Sequence, residues 1–149
     1  MNLFADDPHL DFRPLGTIKG RVAIRGILEY DLALNTHLDL QNCEVNGREV
    51  RCHVVESNDW LKMAGIQSIT YDENRFVFVE DGRIDSVIAR LSAESEQMIG
   101  KAMAEFHQWA IVNQPEEYAR LFSEDGAFIY NRENVENVLV LLKNWRGKH

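Results

Sequence analysis

The sequence predicts an α+β domain, antiparallel hairpins covered by helices, and three observations carry that prediction. Residues 66–91 read as a long hairpin: the β-rich runs 75–79 and 83–91 flank Glu80-Asp81-Gly82, where a glycine supplies the positive φ that a short loop needs. Phe76 and Phe78 alternate with Arg75, Val77 and Val79, while Ile84 and Ile88 alternate with Val87, Ala89 and Leu91. That sheet has apolar residues on both faces, which other elements must cover. After Leu91 the apolar period lengthens from two to about three and a half, the spacing of amphipathic helices.

The elements follow in order. Residues 2–16 read as loop and short strand: Asp6-Asp7-Pro8 starts a turn, residues 9–12 are briefly extended, and Pro14 and Gly16 end the run. Val22, Ile24, Ile27, Leu28 and Leu32 fall at helical spacing over residues 20–34, with Arg21, Arg25, Glu29 and Asp31 on a polar face that solvent explains. Strands 38–45 and 49–56 join at Asn46-Gly47, a type I′ hairpin signal. Ser57 or Asn58 caps a short helix that ends at Gly65 and carries Trp60. Beyond the long hairpin, Ser92 caps a helix running to about Val112. Its stripe is Met98, Ile99, Ala102, Met103, Phe106, Trp109 and Ala110. Pro115 opens another short helix, residues 126–130 are extended, and Val135, Val138, Leu139, Leu142 and Trp145 mark a last helix from about Asn134. Lys143, Arg146 and Lys148 suit its C-terminal end.

The 149 residues fit one domain, 1–149, large enough to bury a core without metal or disulfide support. A formal charge of −8 disfavours unselective binding to nucleic acid or anionic membranes. Cys43 and Cys52 read as a reduced pair, and no basic or apolar leader and no long apolar run is present, so a cytoplasmic protein is expected. His9, His37, His53, His107 and His149 are scattered without a ligand motif; neither a metal nor any cofactor is expected. By strand parity Asp72 and Asn74 share a face with Phe76 and Phe78, and Tyr71, Glu73 and Arg75 share the other. Asp72 reads as a solvated carboxylate at the strand end or, where buried, as a general base, and Trp60 either roofs a pocket mouth or packs in the core. The run Leu3–Phe12 echoes residues 121–130: Leu-Phe, a small residue, two acids, a turn residue and an extended run.

The stretch LFADDPHLDF, then Pro14-Leu15-Gly16, then GRVAIR at 20–25, resembles part of the nuclear-transport-factor-2-like, or SnoaL-like, domains, and RFVFVEDGRI at 75–84 resembles their last hairpin. The resemblance spans residues 3–92. It implies a cystatin-like cone, a curved mixed or antiparallel sheet wrapped around helices and enclosing an apolar pocket, in a homodimer. Residues 1–92 would form the cone and 93–149 a helical extension packed on it. Within that extension, residues 104–122 resemble the two opening helices of the family; the extension either closes the wide end of the cone, in cis or from a partner subunit, or is an ordinary C-terminal addition. In ketosteroid isomerase relatives a strand carboxylate abstracts a proton; counting along the motif puts that position at Asp11 or Phe12, and the partner acid near Asn74. Epoxide-hydrolase relatives use carboxylates bridged by arginine, for which Asp11, Arg13 and Asp72 supply the residue types.

Three readings follow: a domain holding a small hydrophobic molecule in a pocket lined by Phe12, Trp60, Tyr71, Asn74 and Phe76; an isomerase, dehydratase or hydrolase using Asp11 or Asp72 with Arg13 or Tyr71; or a homodimeric interaction module. An ionisable residue at cavity depth favours the enzyme, an all-apolar cavity the binder, and a filled core with an apolar sheet face the interaction module.

Overall fold

Residues 2–13 and 16–147 are described by a computed structural model. Six strands form one mixed sheet: β1 (Phe4–Arg13), β2 (Gly16–Lys19), β3 (His37–Asn46), β4 (Glu49–Ser57), β5 (Ile69–Phe78) and β6 (Ile84–Leu91). Their order is β2-β1-β6-β5-β4-β3, with β1 parallel to β6 and every other neighbour antiparallel. The long hairpin is β5–β6 at the middle of the sheet, and Gly82 takes φ of 84° in its loop. Register slips interrupt the β1–β6, β3–β4, β4–β5 and β5–β6 ladders. Each such bulge bends its strand and adds twist, so the sheet curves.

The concave face is identified by register. Val54, Tyr71 and Leu91 align across β4, β5 and β6, as do Cys52, Asn74 and Ala89, then Val50, Phe76 and Val87. Leu10 and Phe12 of β1 continue the face beside Val87 and Ala89. Helix α1 (Arg21–Ala33) lies on it, burying Ile24 against Phe4 and Leu10. The short α2 (Asp59–Met63) is capped by Asn58, whose side chain accepts a hydrogen bond from the Leu61 amide. Ser92 and Asn131 cap α3 (Ala93–Asn113) and α5 (Arg132–Arg146) in the same way, and α4 (Pro115–Ala119) starts on its proline. Leu61, Ile69, Leu91, Phe106, Leu142 and Trp145 make one core between the end of the sheet and these helices. A second cluster, Tyr30, Leu34 and Val135, joins α5 to α1.

Five expectations change. Pro8 does not start a turn: β1 runs through it for ten residues, and the irregular register between Phe4 and His9 accommodates a residue with no amide to donate. Residues 16–19 form an edge strand. Of the two loop residues between β3 and β4 only Gly47 has positive φ, the pattern of a type II′ turn rather than I′. Residues 126–130 form no strand; their only pairing is a bridge from Phe128 to Phe122, so the echo of the first strand is one of sequence. Cys43 and Cys52 are not a reduced pair but are joined in a disulfide across β3 and β4, with Cα atoms 4.2 Å apart. Pro14 and Lys148 lie outside the described residues.

Candidate functional site

The bulge at Asp72 decides which side chains meet on the concave face. Pairing of β5 with β6 slips between Tyr71 and Glu73, and pairing with β4 slips between Val54 and Cys52. The parity expected for β5 therefore breaks: Tyr71 joins Asn74 and Phe76 on the concave side. Glu73 and Arg75 stay convex, paired at 2.8 Å, and Asp72 is exposed.

Three elements bring polar groups together there. Glu56 sits near the end of β4, the register partner of Leu38 on one side and Ile69 on the other. Its Oε2 accepts a 2.5 Å hydrogen bond from the Tyr71 phenol, and its Oε1 accepts one of 3.0 Å from the Asn58 amide. Asn58 thereby uses its oxygen to cap α2 and its nitrogen to fix Glu56. Asp31, in the last turn of α1, completes the group; it is half-buried rather than solvated, and forms no ion pair or side-chain hydrogen bond among the described residues.

Burial sets the electrostatics. Loss of water raises the Asp31 carboxyl to about 7, with the Glu56 charge adding to the effect. Burial also raises Glu56, against the lowering effect of its bonds from Tyr71 and Asn58. The Tyr71 phenol is pushed far up, first by burial and then by Glu56 and Asp31, so it remains a hydrogen-bond donor. Burial likewise raises Tyr30, with added pressure from Tyr130 and Asp31, and raises Tyr130, with pressure from Asp31. The rings of Tyr30, Phe128 and Tyr130 pack edge to face at 5.0 to 5.7 Å. Segment 126–131 is held against α1 at Gly26, where a Cβ would lie 2.7 Å from the Tyr130 carbonyl. Two partly desolvated acids whose charges oppose each other, with neutral phenols around them, can take up and release a proton near neutral pH.

The residues expected from sequence scatter around this group. Asp11 points to the convex side with Ile88 and Thr17, bound by Arg13 at 2.9 Å. Phe12 and Phe76 are half-buried on the concave face, and Asn74 is buried between them and Tyr71. Trp60 packs against both the core at the end of the sheet and the Tyr30, Leu34 and Val135 cluster. Asp31 and Glu56 were not among the candidates. An acid at i+3 from Leu28 and i+4 from Ile27 in an otherwise apolar stripe was the available sign for Asp31.

The surface carries open depressions of about 540, 410 and 420 Å³. The first is rimmed by Asp6, Asp81 and Arg83, which are paired and solvated. The second shares Tyr130 and α1 with the site. The half-buried carboxyls, not these depressions, have the desolvation that chemistry needs.

No family model and no curated protein matches the sequence. Solved structures do. An epoxide hydrolase/cyclase-like enzyme, SalBIII, matches with a TM-score of 0.54 at 12% identity over 63% of this chain and 76% of its own. A hypothetical protein with a ketosteroid isomerase-like fold from Catenulispora acidiphila, in complex with trimethylamine, gives 0.53 at 22% identity over 63% and 73%. A protein from Kribbella flavida gives 0.54 at 14% identity over 72% and 79%. At these identities the likeness is one of fold.

Proposed function

We propose that this nuclear-transport-factor-2-like domain is an acid–base enzyme that moves a proton on a small, largely apolar molecule, with Asp31 taking up and returning the proton. One observation carries the reading. Asp31 and Glu56 share a desolvated setting with Tyr71 and Asn58, and no cation is paired with either carboxylate among the described residues. An ionisable pair at that depth favours the enzyme over an inert apolar binder.

Asp31 near 7 populates both forms at neutral pH, the condition under which one group can serve as base and then as acid. Glu56 is fixed by two hydrogen bonds that favour its charged form, and that charge makes Asp31 the better base. Tyr30 and Tyr130 stay protonated and are donors for an oxygen that gains charge as the proton leaves carbon, or as an epoxide opens. The exposed Leu32 and Leu38 lie next to Asp31 in sequence and opposite Glu56 in register, and receive the apolar body of the substrate. Phe12, Asn74 and Phe76 extend that surface along the concave face. The fold of an epoxide hydrolase/cyclase-like enzyme accords with chemistry of this class.

In this proposal the C-terminal helices close the wide end of the sheet in cis, which the packing of α5 on α1 and α2 supports. A homodimer remains part of it, supported by the exposure of β3 along its whole length at the sheet edge. Among the described residues no helix is long and apolar enough to cross a membrane.

The test is NMR of the protein in D2O with a panel of small ketones, enones and cyclic epoxides. Deuterium incorporation or ring opening above the solvent background is expected, reduced about 100-fold or more in Asp31→Asn. Turnover that survives Asp31→Asn would refute the assignment. No turnover of any panel member, together with a small molecule retained in native mass spectrometry, would move the reading to a binding protein.

A further inference from the structure

Cys43 and Cys52 lie where β3 and β4 fall out of register. Asn42 takes φ of 50°, and the pairing passes from Gln41–His53 directly to Glu44–Arg51. Asn42 and Cys43 thus oppose the single residue Cys52, and the disulfide spans that bulge. Its two sulfurs have different surroundings. Cys43 is exposed, like all of β3, whereas Cys52 is 6% exposed on the concave face. The partner of Cys52 on its other side is Asn74, itself 8% exposed, whose Oδ1 has no hydrogen-bond partner. A buried amide oxygen without a donor carries a desolvation penalty, and the disulfide beside it has no hydrogen to offer.

We infer that the Cys43–Cys52 bond is a thiol–disulfide exchange site of fixed direction, in which Cys43 Sγ is the sulfur attacked and Cys52 leaves as a thiol received by Asn74. A thiolate must approach its target sulfur in line with the bond, and Cys43 alone is exposed for that approach. Attack forms a bond from the incoming sulfur to Cys43 Sγ, breaks the bond between the cysteines, and leaves the electron pair on Cys52 Sγ. Buried among apolar neighbours, that thiolate takes a proton from water and donates it to Asn74 Oδ1. A second thiol then attacks the mixed disulfide at the reductant sulfur and frees Cys43. In sum two reductant thiols are oxidised to one disulfide and the protein disulfide is reduced to two thiols. The reduced protein gains a hydrogen bond that the oxidised protein lacks, which biases the equilibrium toward the dithiol. It also leaves β3 attached by its ladder to β4 alone, beside Leu38 and Glu56. This inference is independent of the acid–base reading.

Reduced glutathione added to the folded full chain, followed by alkylation and peptide mapping, reads the direction. Glutathione is expected on Cys43 and the alkyl group on Cys52, at least about tenfold over the reverse pattern. Glutathione on Cys52, an even distribution, or no adduct until denaturant is added would overturn the site. A glutathione redox titration of Asn74→Leu is expected to shift the equilibrium about two- to tenfold toward the disulfide, the net effect of one hydrogen bond; an unchanged equilibrium overturns the role of Asn74. Should Asn74→Leu fail to fold, the infrared S–H stretch of Cys52 in Cys43→Ser decides the point. A stretch at lower frequency than that of a free thiol supports the bond to Asn74, and an unshifted one removes it.

Discussion

The Tyr71 phenol donates a 2.5 Å hydrogen bond to Glu56 Oε2 from the neighbouring strand, fifteen residues away in sequence. The two residues are not register partners: Tyr71 is opposite Val54, and Glu56 opposite Ile69, so the bond runs diagonally across the concave face. That diagonal places a neutral donor between the sheet and the last turn of α1, where Asp31 lies. Glu56 is therefore braced by the neighbouring strand and by the cap of α2.

Replacing Tyr71 with Phe keeps the ring packing and removes the donor. Glu56 loses one of the two bonds that lower its pKa, so its pKa rises further. More protonated at neutral pH, Glu56 repels the Asp31 anion less, and the Asp31 value should fall below its position near 7. Carboxyl-detected NMR titration checks the opposite movements of the two groups. A stability loss of about 1–3 kcal/mol is expected from the lost hydrogen bond.

Asp31 gives a pH dependence with a definite sign. Its pKa is raised from 3.8 to about 7 on folding, so between those values the folded protein binds more protons than the unfolded chain. Stability must then fall as pH rises through that window, and the full cost is present above it. Asp31→Asn removes the cost. The variant should be more stable than the parent at pH 8, by on the order of 2–4 kcal/mol after allowance for partial exposure, and the advantage should vanish near pH 4. Denaturant titrations at several pH values decide it; an advantage independent of pH would show that Asp31 is charged and solvated.

The helices and the central hairpin were legible because periodicity, caps and turn glycines are local signals: Ser92, Pro115, Gly82 and the apolar stripe of α5 each act on near neighbours. The site was not. Its geometry depends on a bulge at Asp72, which moves Tyr71 to the face of Asn74, and a two-residue alternation does not foresee a bulge. Asp31 looked like part of the polar face of α1 because its burial comes from β4 and from residues 126–131, distant in sequence. The disulfide was missed for a related reason: the bulge that turns Cys43 toward Cys52 rests on a positive φ at an asparagine.

Gly26 tests the contact that brings Tyr130 to the site. Alanine favours a helix over glycine by about 1 kcal/mol, so Gly26→Ala in an isolated helix would be stabilising. Here the new Cβ would meet the Tyr130 carbonyl oxygen at 2.7 Å, a backbone atom that cannot swing aside. A net loss of about 1–3 kcal/mol is expected, with Tyr130 displaced from Tyr30. Thermal unfolding and the pH titration of Tyr130 fluorescence report the two effects; a stabilised variant would mean that segment 126–131 is held loosely.

Arg146 tests how the last helix is fastened. It stacks its guanidinium 4.3 Å above the Trp145 ring and donates to the Met63 carbonyl at 3.0 Å and to the Ala64 carbonyl. Both acceptors belong to the C-terminal end of α2, where carbonyls lack partners within the helix and a positive charge is favoured. Arg146→Ala should cost about 1–3 kcal/mol, since it leaves those carbonyls to water and uncovers the indole. Arg146→Lys should recover less than half of the loss, because one ammonium neither reaches both carbonyls in a fork nor stacks as a plane. Hydrogen exchange would localise the change to α2 and the end of α5, and an effect confined to α5 would show that Arg146 anchors nothing beyond its own helix.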